Sequence, residues 1–259
     1  MYHPVYLLKL FCLSFFLVEG LYAGSNPYSA VPPFIRPGGI NPICGAKPTP
    51  ALRQVTPPLL STKGVIMLDP GHGGHDIGTQ SLTKPRYQEK TLNLTTARFV
   101  KKYLEDYGYT VYMTRHKDVF VSLDKRSGLA NKKHSDLFVS LHYNSAPSAE
   151  ARGIEIFYYP SHQDKKRAQK SKALAQLILK YLLMQVNVAS RGVKSGNWAV
   201  IRETKMPAIL VEGGFMTNEM EMNKLKDPDY LKQLAWAIAR GINAYMDLHS
   251  SQKKVAQKH

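Results

Sequence analysis

Three polar side chains of the sequence each stand at or shortly after the end of a short apolar run. His72 lies in the turn DPGHGG after the run VIML, His142 follows LFVSL, and Glu212 follows AILV. Each run has the length and composition of a buried strand, and the nearby glycines indicate that the chain turns after the first and third runs. Because ligands gather at the carboxyl ends of parallel strands, we expect these side chains to share one site.

A fourth candidate, Glu89, stands at the predicted start of the first helix in the sequence YQEKTLNL. A carboxylate there is kept ionised by exposed backbone N–H groups and the helix dipole, so it is ready to bind a cation. Two imidazoles and one carboxylate form the ligand set of many catalytic zinc sites. We therefore expect one zinc ion per chain, bound by His72, Glu89 and His142, with Glu212 free for proton transfer.

Each of these side chains also has an ordinary structural interpretation when it is taken alone. A histidine at a strand end can be a simple polar residue, Glu89 can complement its helix dipole, and Glu212 can brace the glycine turn after it. The catalytic interpretation is favoured because all four positions fall on one side of one predicted sheet.

Several other polar residues lie near the candidate ligands. His75 and Asp76 are predicted to support the turn rather than bind metal, because side chains on adjacent turn positions reach one ion poorly. Asn144, two residues beyond His142, is a candidate for orienting substrate on proximity alone. Three further histidines lack partner spacing and are predicted to lie at the surface: His116, His134 and His162.

The elements that must position these residues alternate along residues 64–248. Apolar residues recur at helical spacing within 92–107, 174–182 and 231–245. Strands alternating with helices predict a single α/β domain with a mainly parallel sheet and helices on both faces. Five strands are predicted: Val65–Leu68, Thr110–Thr114, Leu137–Leu141, Ile154–Tyr159 and Ala208–Val211.

The segments outside this domain have their own composition. Residues 1–23 combine Lys9, a short apolar stretch and small residues after it, which predicts a secretory signal peptide; a buried N-terminal helix is the alternative. Residues 24–63 form a predicted linker, because nine of the sixteen prolines fall there without apolar periodicity. Residues 249–259 are predicted to be a basic tail.

Charge and cysteine content limit the partners and the compartment. The formal net charge of +16 indicates an anionic partner, and for an exported protein this means cell-wall polymer, lipid headgroups or extracellular nucleic acid. Cys44 alone remains once the segment containing Cys12 is removed, so we expect no internal disulfide. We expect no stable membrane insertion after that removal, because no other stretch reaches spanning length.

The sequence resembles the zinc-dependent N-acetylmuramoyl-L-alanine amidases, the amidase type 3 family of the bacterial cell-separation enzymes. The resemblance rests on four motifs in order, DPGHGG, QEK, SLHYNS and LVEGGFMTN, and runs from about residue 64 to 245. It implies a sheet of roughly six strands, zinc bound by His72, Glu89 and His142, and Glu212 as the catalytic acid and base. It also implies cleavage between N-acetylmuramic acid and L-alanine of peptidoglycan in the periplasm or cell-wall space.

Peptidoglycan is partly anionic, so it is the partner we expect for the basic chain; we expect no nucleic-acid partner and a monomer. Two rival functions stay open. A zinc carboxypeptidase or another peptidoglycan peptidase would use similar ligands, and a non-catalytic wall-binding protein would need a ligand or base to be lost, which is not the case here.

The chain departs from the activator-dependent relatives in the interval before Glu212. Those relatives carry a long helical insertion that blocks the zinc cleft. Here the segment Gly153–Val193 is predicted to hold one strand, one amphipathic helix over Asp164–Met184 and a short turn through Arg191 and Gly192. We therefore expect an open cleft and activity without an activator.

Overall fold

Strands and helices alternate along the part of the chain that the computed structural model describes, residues 62–256, with side chains described through residue 249. The predicted signal peptide and nearly all of the predicted linker lie outside these residues. Six strands are present in the described part: β1 Val65–Pro70, β2 Thr110–Met113, β3 Leu137–Asn144, β4 Ile154–Tyr158, β5 Ser190–Ser195 and β6 Ala208–Phe215.

The strands form one sheet in the order β2-β1-β3-β6-β4-β5. Four of the five strand pairs are parallel, and the pair of β4 with β6 is antiparallel. The predicted mainly parallel α/β sheet of about six strands is confirmed. The carboxyl ends of β1, β3 and β6 therefore lie side by side, and β4 begins at that same edge.

Six helices lie within the described residues: α1 Glu89–Asp106, α2 Leu123–Lys132, α3 Lys165–Gln185, α4 Ala199–Arg202, α5 Glu219–Leu225 and α6 Pro228–Ala256. α1, α3 and α6 pack on one face of the sheet around a large apolar core, and α2 and α4 cover the other face with a smaller one. Helices on both faces are thus confirmed. α6 continues to Ala256, into the predicted tail.

The segment Gly153–Val193 differs from its prediction at one point. Residues expected to form a short turn through Arg191 and Gly192 belong to β5, which extends the sheet beyond β4. The predicted helix is present as α3, and its buried residues Leu174 and Ile178 pack against α6 rather than over the cleft. Within residues 62–256, no helix is long and apolar enough to cross a membrane.

Candidate active site

The turn that carries His72 is held in a conformation that few side chains adopt. His72 has a φ of 59°, and Gly74, two residues further on, has a φ of 62°. A left-handed backbone costs a residue with a Cβ atom roughly 1–2 kcal/mol, so neighbouring contacts must hold the turn in place. Two arginine side chains hold the turn by donating hydrogen bonds to its backbone carbonyl oxygens. Arg115 donates to those of Pro70 and Gly71. Arg126 donates to those of Pro70 and His72.

Arg126 is itself anchored by a buried carboxylate. Its Nη1 lies 2.8 Å from Oδ1 of Asp69, and both side chains are almost fully buried. Thr114 and Ser140 also donate hydroxyl hydrogen bonds to Asp69. The sequence did not predict these buried contacts, because they join residues far apart in the chain. Asp69, just before the turn, was the one residue that could have indicated them.

The structure brings His72, Glu89 and His142 together at the carboxyl edge of the sheet. His72 Nε2 lies 3.1 Å from Glu89 Oε2, and His142 Nδ1 lies 2.9 Å from Glu89 Oε1. One nitrogen or oxygen atom from each residue lies within 4.8 Å of the others. The two imidazole rings meet edge to face with centroids 5.0 Å apart. His142 and Asn144 belong to the end of β3 itself, which extends beyond the predicted Leu141.

Two glycines allow this close approach. A Cβ atom on Gly71 would lie 2.2 Å from His142 Nε2, and one on Gly78 would lie 2.4 Å from Glu89 Oε2. Any side chain at either position would displace a candidate ligand. The glycines around His72 therefore make room for the ligands as well as turning the chain.

Glu89 begins α1 and is buried. Its Oε2 accepts a hydrogen bond from the Thr79 N–H at 2.9 Å, and its Oε1 accepts one from Asn93 Nδ2 at 3.3 Å. Burial opposes ionisation, but hydrogen bonds with His142 and His72 hold the pKa of Glu89 well below its usual range. The carboxylate is thus an anion suited to a cation.

The neighbours of His72 take supporting positions. Asp76 Oδ1 accepts a hydrogen bond from His72 Nδ1 at 2.8 Å, which leaves Nε2 facing Glu89. Such a contact fixes the tautomer and orientation of a metal-binding imidazole. His75 is exposed and stacks on Phe120 with ring centroids 4.3 Å apart. The three other histidines singled out by the sequence are exposed: His116, His134 and His162.

Glu212 lies on β6 between two neighbouring strands. Its register partners are His142 on β3 and Glu155 on β4. Its Oε2 is buried and accepts no hydrogen bond from the described residues. Burial raises the pKa of Glu212 well above its usual range, and the negative charges of Glu89 and Glu155 raise it further. A buried carboxyl group with a raised pKa is suited to accept and return a proton.

Asn144 is held by Glu155 rather than being free to rotate. Its Nδ2 donates to Glu155 Oε1 at 2.6 Å, and its Oδ1 accepts from the Ser145 N–H at 2.8 Å. Glu155 Oε2 also accepts from Arg191 Nε at 3.0 Å and Lys194 Nζ at 2.5 Å. Burial favours the neutral acid, but these two cations lower the pKa of Glu155. Sequence reasoning missed this group because Arg191 and Lys194 lie on the unpredicted β5.

A cavity of about 540 Å³ joins these groups. Its polar side contains His72, Glu89, His142, Asn144 and Glu212. An apolar side faces them, formed from the segments that begin α2 and α4: Phe120, Val121, Leu123, Trp198, Ala199 and Val200. A concave site with a few convergent polar groups and perturbed carboxyl groups has the character of an enzyme active site.

The donor set fits a zinc ion. Zinc takes histidine nitrogen and carboxylate oxygen at about 2.0–2.2 Å, and three such ligands with one open position are typical of catalytic sites. The contacts of 3.1 and 2.9 Å between Glu89 and the two imidazoles match the spacing of neighbouring ligands on one small ion.

Comparison with known proteins points to amidases of the cell wall. The family profile Amidase_3, described as N-acetylmuramoyl-L-alanine amidase, matches residues 66–244. The chain is 34% identical over 180 residues to a probable cell wall amidase, LytH, of Staphylococcus saprophyticus, covering 70% of this chain and 57% of that protein. The chain thus spans little more than half the length of that curated relative.

Solved structures show the same fold. An N-acetylmuramoyl-L-alanine amidase from Clostridium difficile 630 superposes with a TM-score of 0.68 at 39% identity, covering 72% of this chain and 98% of that one. The catalytic domain of CwlV, an N-acetylmuramoyl-L-alanine amidase from Bacillus (Paenibacillus) polymyxa var. colistinus, superposes with a TM-score of 0.66 at 36% identity, covering 71% and 98%.

Proposed function

We propose, because this chain belongs to the Amidase_3 family of N-acetylmuramoyl-L-alanine amidases, that it hydrolyses the amide bond between N-acetylmuramic acid and L-alanine in peptidoglycan. The observation that supports this best is the pairing of Glu212 with the cluster of His72, Glu89 and His142 in one cavity. An amide hydrolase needs an activated water and a group that moves its proton, and the ligand cluster and Glu212 offer these two functions.

The proposed cofactor is one zinc ion per chain, held by His72 Nε2, the Glu89 carboxylate and His142 Nδ1. When bound, zinc supplies Lewis-acid activation of a water molecule and of the scissile carbonyl. Asp76 keeps the proton of His72 on Nδ1, so that Nε2 is the nitrogen available to the ion.

Glu212 moves the proton in the proposed reaction. Its carboxylate takes a proton from the attacking water, whose oxygen forms a bond with the lactyl carbonyl carbon. The carbon–nitrogen bond then breaks, and Glu212 returns the proton to the departing nitrogen of L-alanine. The products are a glycan with a free lactyl carboxylate and a stem peptide with a free amino terminus. Asn144 faces the same cavity and is the proposed contact for the substrate.

The proposed enzyme works without an activator. Among the described residues, none from Gly153 to Val193 lines the cavity, and α3 is packed on the opposite face of the sheet against α6. Swinging α3 over the cleft would expose Leu174, Ile178 and Leu182, each worth roughly 1.5–3 kcal/mol of burial.

Export, a monomeric state and peptidoglycan as the anionic partner complete the proposal. Export is supported by the sequence of residues 1–23, and peptidoglycan as the partner is supported by the net charge of +16 and by the cell-wall names of the relatives. The place of action is then the periplasm or cell-wall space, where this family's substrate lies.

The test is digestion of purified peptidoglycan with zinc-loaded protein, with and without a chelator, followed by mass spectrometry of the products. An amidase releases intact stem peptides that begin with L-alanine, and the chelator abolishes the release. Stem peptides shortened from their carboxyl end would instead establish a carboxypeptidase. Binding of peptidoglycan without any cleavage would establish a wall-binding protein.

A further inference from the structure

Large apolar side chains at the surface converge on the active-site cavity. Phe120 is 48% exposed, Leu123 56% and Trp198 49%, and all three line the cavity. They come from two separate segments: Phe120 and Leu123 from the loop before α2 and the first residue of α2, and Trp198 from the position before α4. We call these three residues the apolar wall. Exposed apolar groups that meet beside a polar cluster mark a surface that an amphipathic ligand covers.

Beneath the apolar wall, the side chains on one face of the sheet change from polar to apolar over two residues of each strand. Glu212 on β6 lies opposite Glu155 on β4, and two residues along, Leu210 lies opposite Phe157 on the same face. Two residues span about 6.6 Å along a strand. The catalytic end and the apolar end of the cavity are therefore neighbours, at the distance of adjoining groups of one substrate.

Trp198 is fixed at the apolar end. Its ring meets Phe157 edge to face with centroids 5.9 Å apart, and a Cβ atom on Gly196 would lie 2.7 Å from its Nε1. Its carbonyl oxygen accepts hydrogen bonds from the Ile201 and Arg202 N–H groups, so its backbone is the N-cap of α4. No group among the described residues accepts a hydrogen bond from the indole N–H. The ring thus offers an apolar face and a free donor.

The opposite side of the wall is tied to the turn of His72. Phe120 stacks on His75, and Asp118 in the same loop accepts hydrogen bonds from the Gly74 N–H at 2.7 Å and Lys90 Nζ at 2.7 Å. Val121 also accepts one from Arg126, the residue that holds the His72 carbonyl. The wall and the candidate ligands therefore keep a fixed relation to one another.

We propose that the apolar wall is a saccharide subsite, in which the indole of Trp198 stacks on the ring of the N-acetylmuramic acid whose lactyl amide is cut. This inference rests on the proposed function. A pyranose ring has an apolar C–H face and polar hydroxyl and acetamido edges, which match an indole face and a free indole N–H. The short lactyl ether places that ring next to the scissile carbonyl. This matches the cavity, in which the apolar end lies next to the catalytic end.

The stem peptide suits the wall less well. Its carboxylates gain nothing from three uncharged apolar side chains, whereas Arg191 and Lys194 lie half-exposed beyond Glu155. The wall therefore favours the sugar over the peptide as its occupant.

The test compares two soluble substrates that share the scissile bond, an N-acetylmuramoyl peptide and a D-lactoyl peptide without the sugar. With zinc-loaded Trp198→Ala we expect KM for the sugar-bearing substrate to rise about tenfold, with the sugar-free substrate cleaved as by the unaltered chain. Trp198→Phe should recover part of the loss. Leu183→Ala, an exposed apolar position on α3, is the control and should change neither value.

A binding measurement provides a readout that does not depend on turnover. The chain has two tryptophans, Trp198 and Trp236, so Trp236→Phe leaves Trp198 as the one reporter. Titration with N-acetylmuramic acid should change its fluorescence, and the Trp198→Phe variant should show no such change. Equal loss on both substrates, or an unchanged KM, would overturn the saccharide subsite while leaving the amidase standing. Failure of the unaltered protein to cut either substrate would reject the amidase itself.

Discussion

Glu155 and Glu212 lie directly opposite each other on the antiparallel strands β4 and β6. Glu155 accepts hydrogen bonds from Asn144, Arg191 and Lys194. In contrast, Oε2 of Glu212 has no hydrogen-bond partner among the described residues. Like charges disfavour ionisation, and the pKa of Glu212 is raised accordingly, with burial as the larger cause. The surroundings of the two carboxyl groups thus shift their pKa values in opposite directions.

This pairing predicts opposite pH shifts for two variants. A carboxylate that accepts a proton is active above its pKa. Glu155→Gln removes a negative charge near Glu212, so its pKa falls and the acidic limb of the kcat/KM profile moves to lower pH. Lys194→Met leaves Glu155 less compensated, so the limb moves to higher pH. A pH profile of each variant checks this, and shifts in the same direction would refute it.

Glu212→Gln is expected to lower kcat by about 10²- to 10⁴-fold, the usual contribution of a positioned general base, while zinc stays bound. Glutamine keeps the shape of the side chain and lacks the proton acceptor. Turnover and metal content are measured on the same sample. Loss of zinc in this variant would make Glu212 a ligand and Glu89 the candidate base.

His72→Ala and His142→Ala are each expected to remove zinc and activity together, because a site with three protein ligands seldom holds the ion with two. Metal analysis of the unaltered protein should give about one zinc per chain. His116 is exposed and does not belong to the candidate ligand set, so His116→Ala is the matched control and should retain the metal. Full hydrolysis by metal-free protein would contradict the proposed mechanism.

Arg126→Met should lower the free energy of unfolding by about 3–5 kcal/mol, because it leaves Asp69 as a buried charge without its cation. Adding Asp69→Asn should restore part of the loss. Urea unfolding measures both. Lys102→Met removes the exposed pair with Asp106 and should leave the midpoint nearly unchanged, as expected for a surface ion pair. Equal effects of Arg126→Met and Lys102→Met would refute a special role for the buried pair.

The purified chain is expected to cleave peptidoglycan at its full rate with no added protein, because α3 is committed to the core and the cavity is open. Release of stem peptides over time, with and without cell extract, measures this. Activity that appears only after extract is added would sink the idea of an enzyme active on its own.

The sequence predicted most of the fold and the placement of the candidate ligands because each signal was local. The apolar runs before His72, His142 and Glu212 mark β1, β3 and β6, and Glu89 begins α1 as expected. The convergence of these side chains follows from a general rule about parallel strands. Because the strands were predicted to be parallel, the local patterns also predicted that these side chains lie close together.

Features that depend on distant pairing were not predictable in this way. β5 has the sequence SRGVKS, with a single large apolar residue, and lies at the sheet edge where alternation is weak. The short helices α2, α4 and α5 have too few apolar residues at helical spacing to be predicted from the sequence. Arg115 and Arg126 were not singled out from the sequence, because the carbonyl oxygens of the His72 turn that they contact are about fifty residues away in the chain.

The two guanidinium groups also limit which ions the site can select. The carbonyl oxygens of Pro70, Gly71 and His72, in the turn that carries His72, all accept hydrogen bonds from Arg115 or Arg126. A guanidinium cation therefore already lies beside each of these three oxygens, and its charge opposes a second cation there. Calcium requires six to eight oxygen ligands, and magnesium an octahedron of them, so both are disfavoured where two imidazoles and one carboxylate are the donors offered.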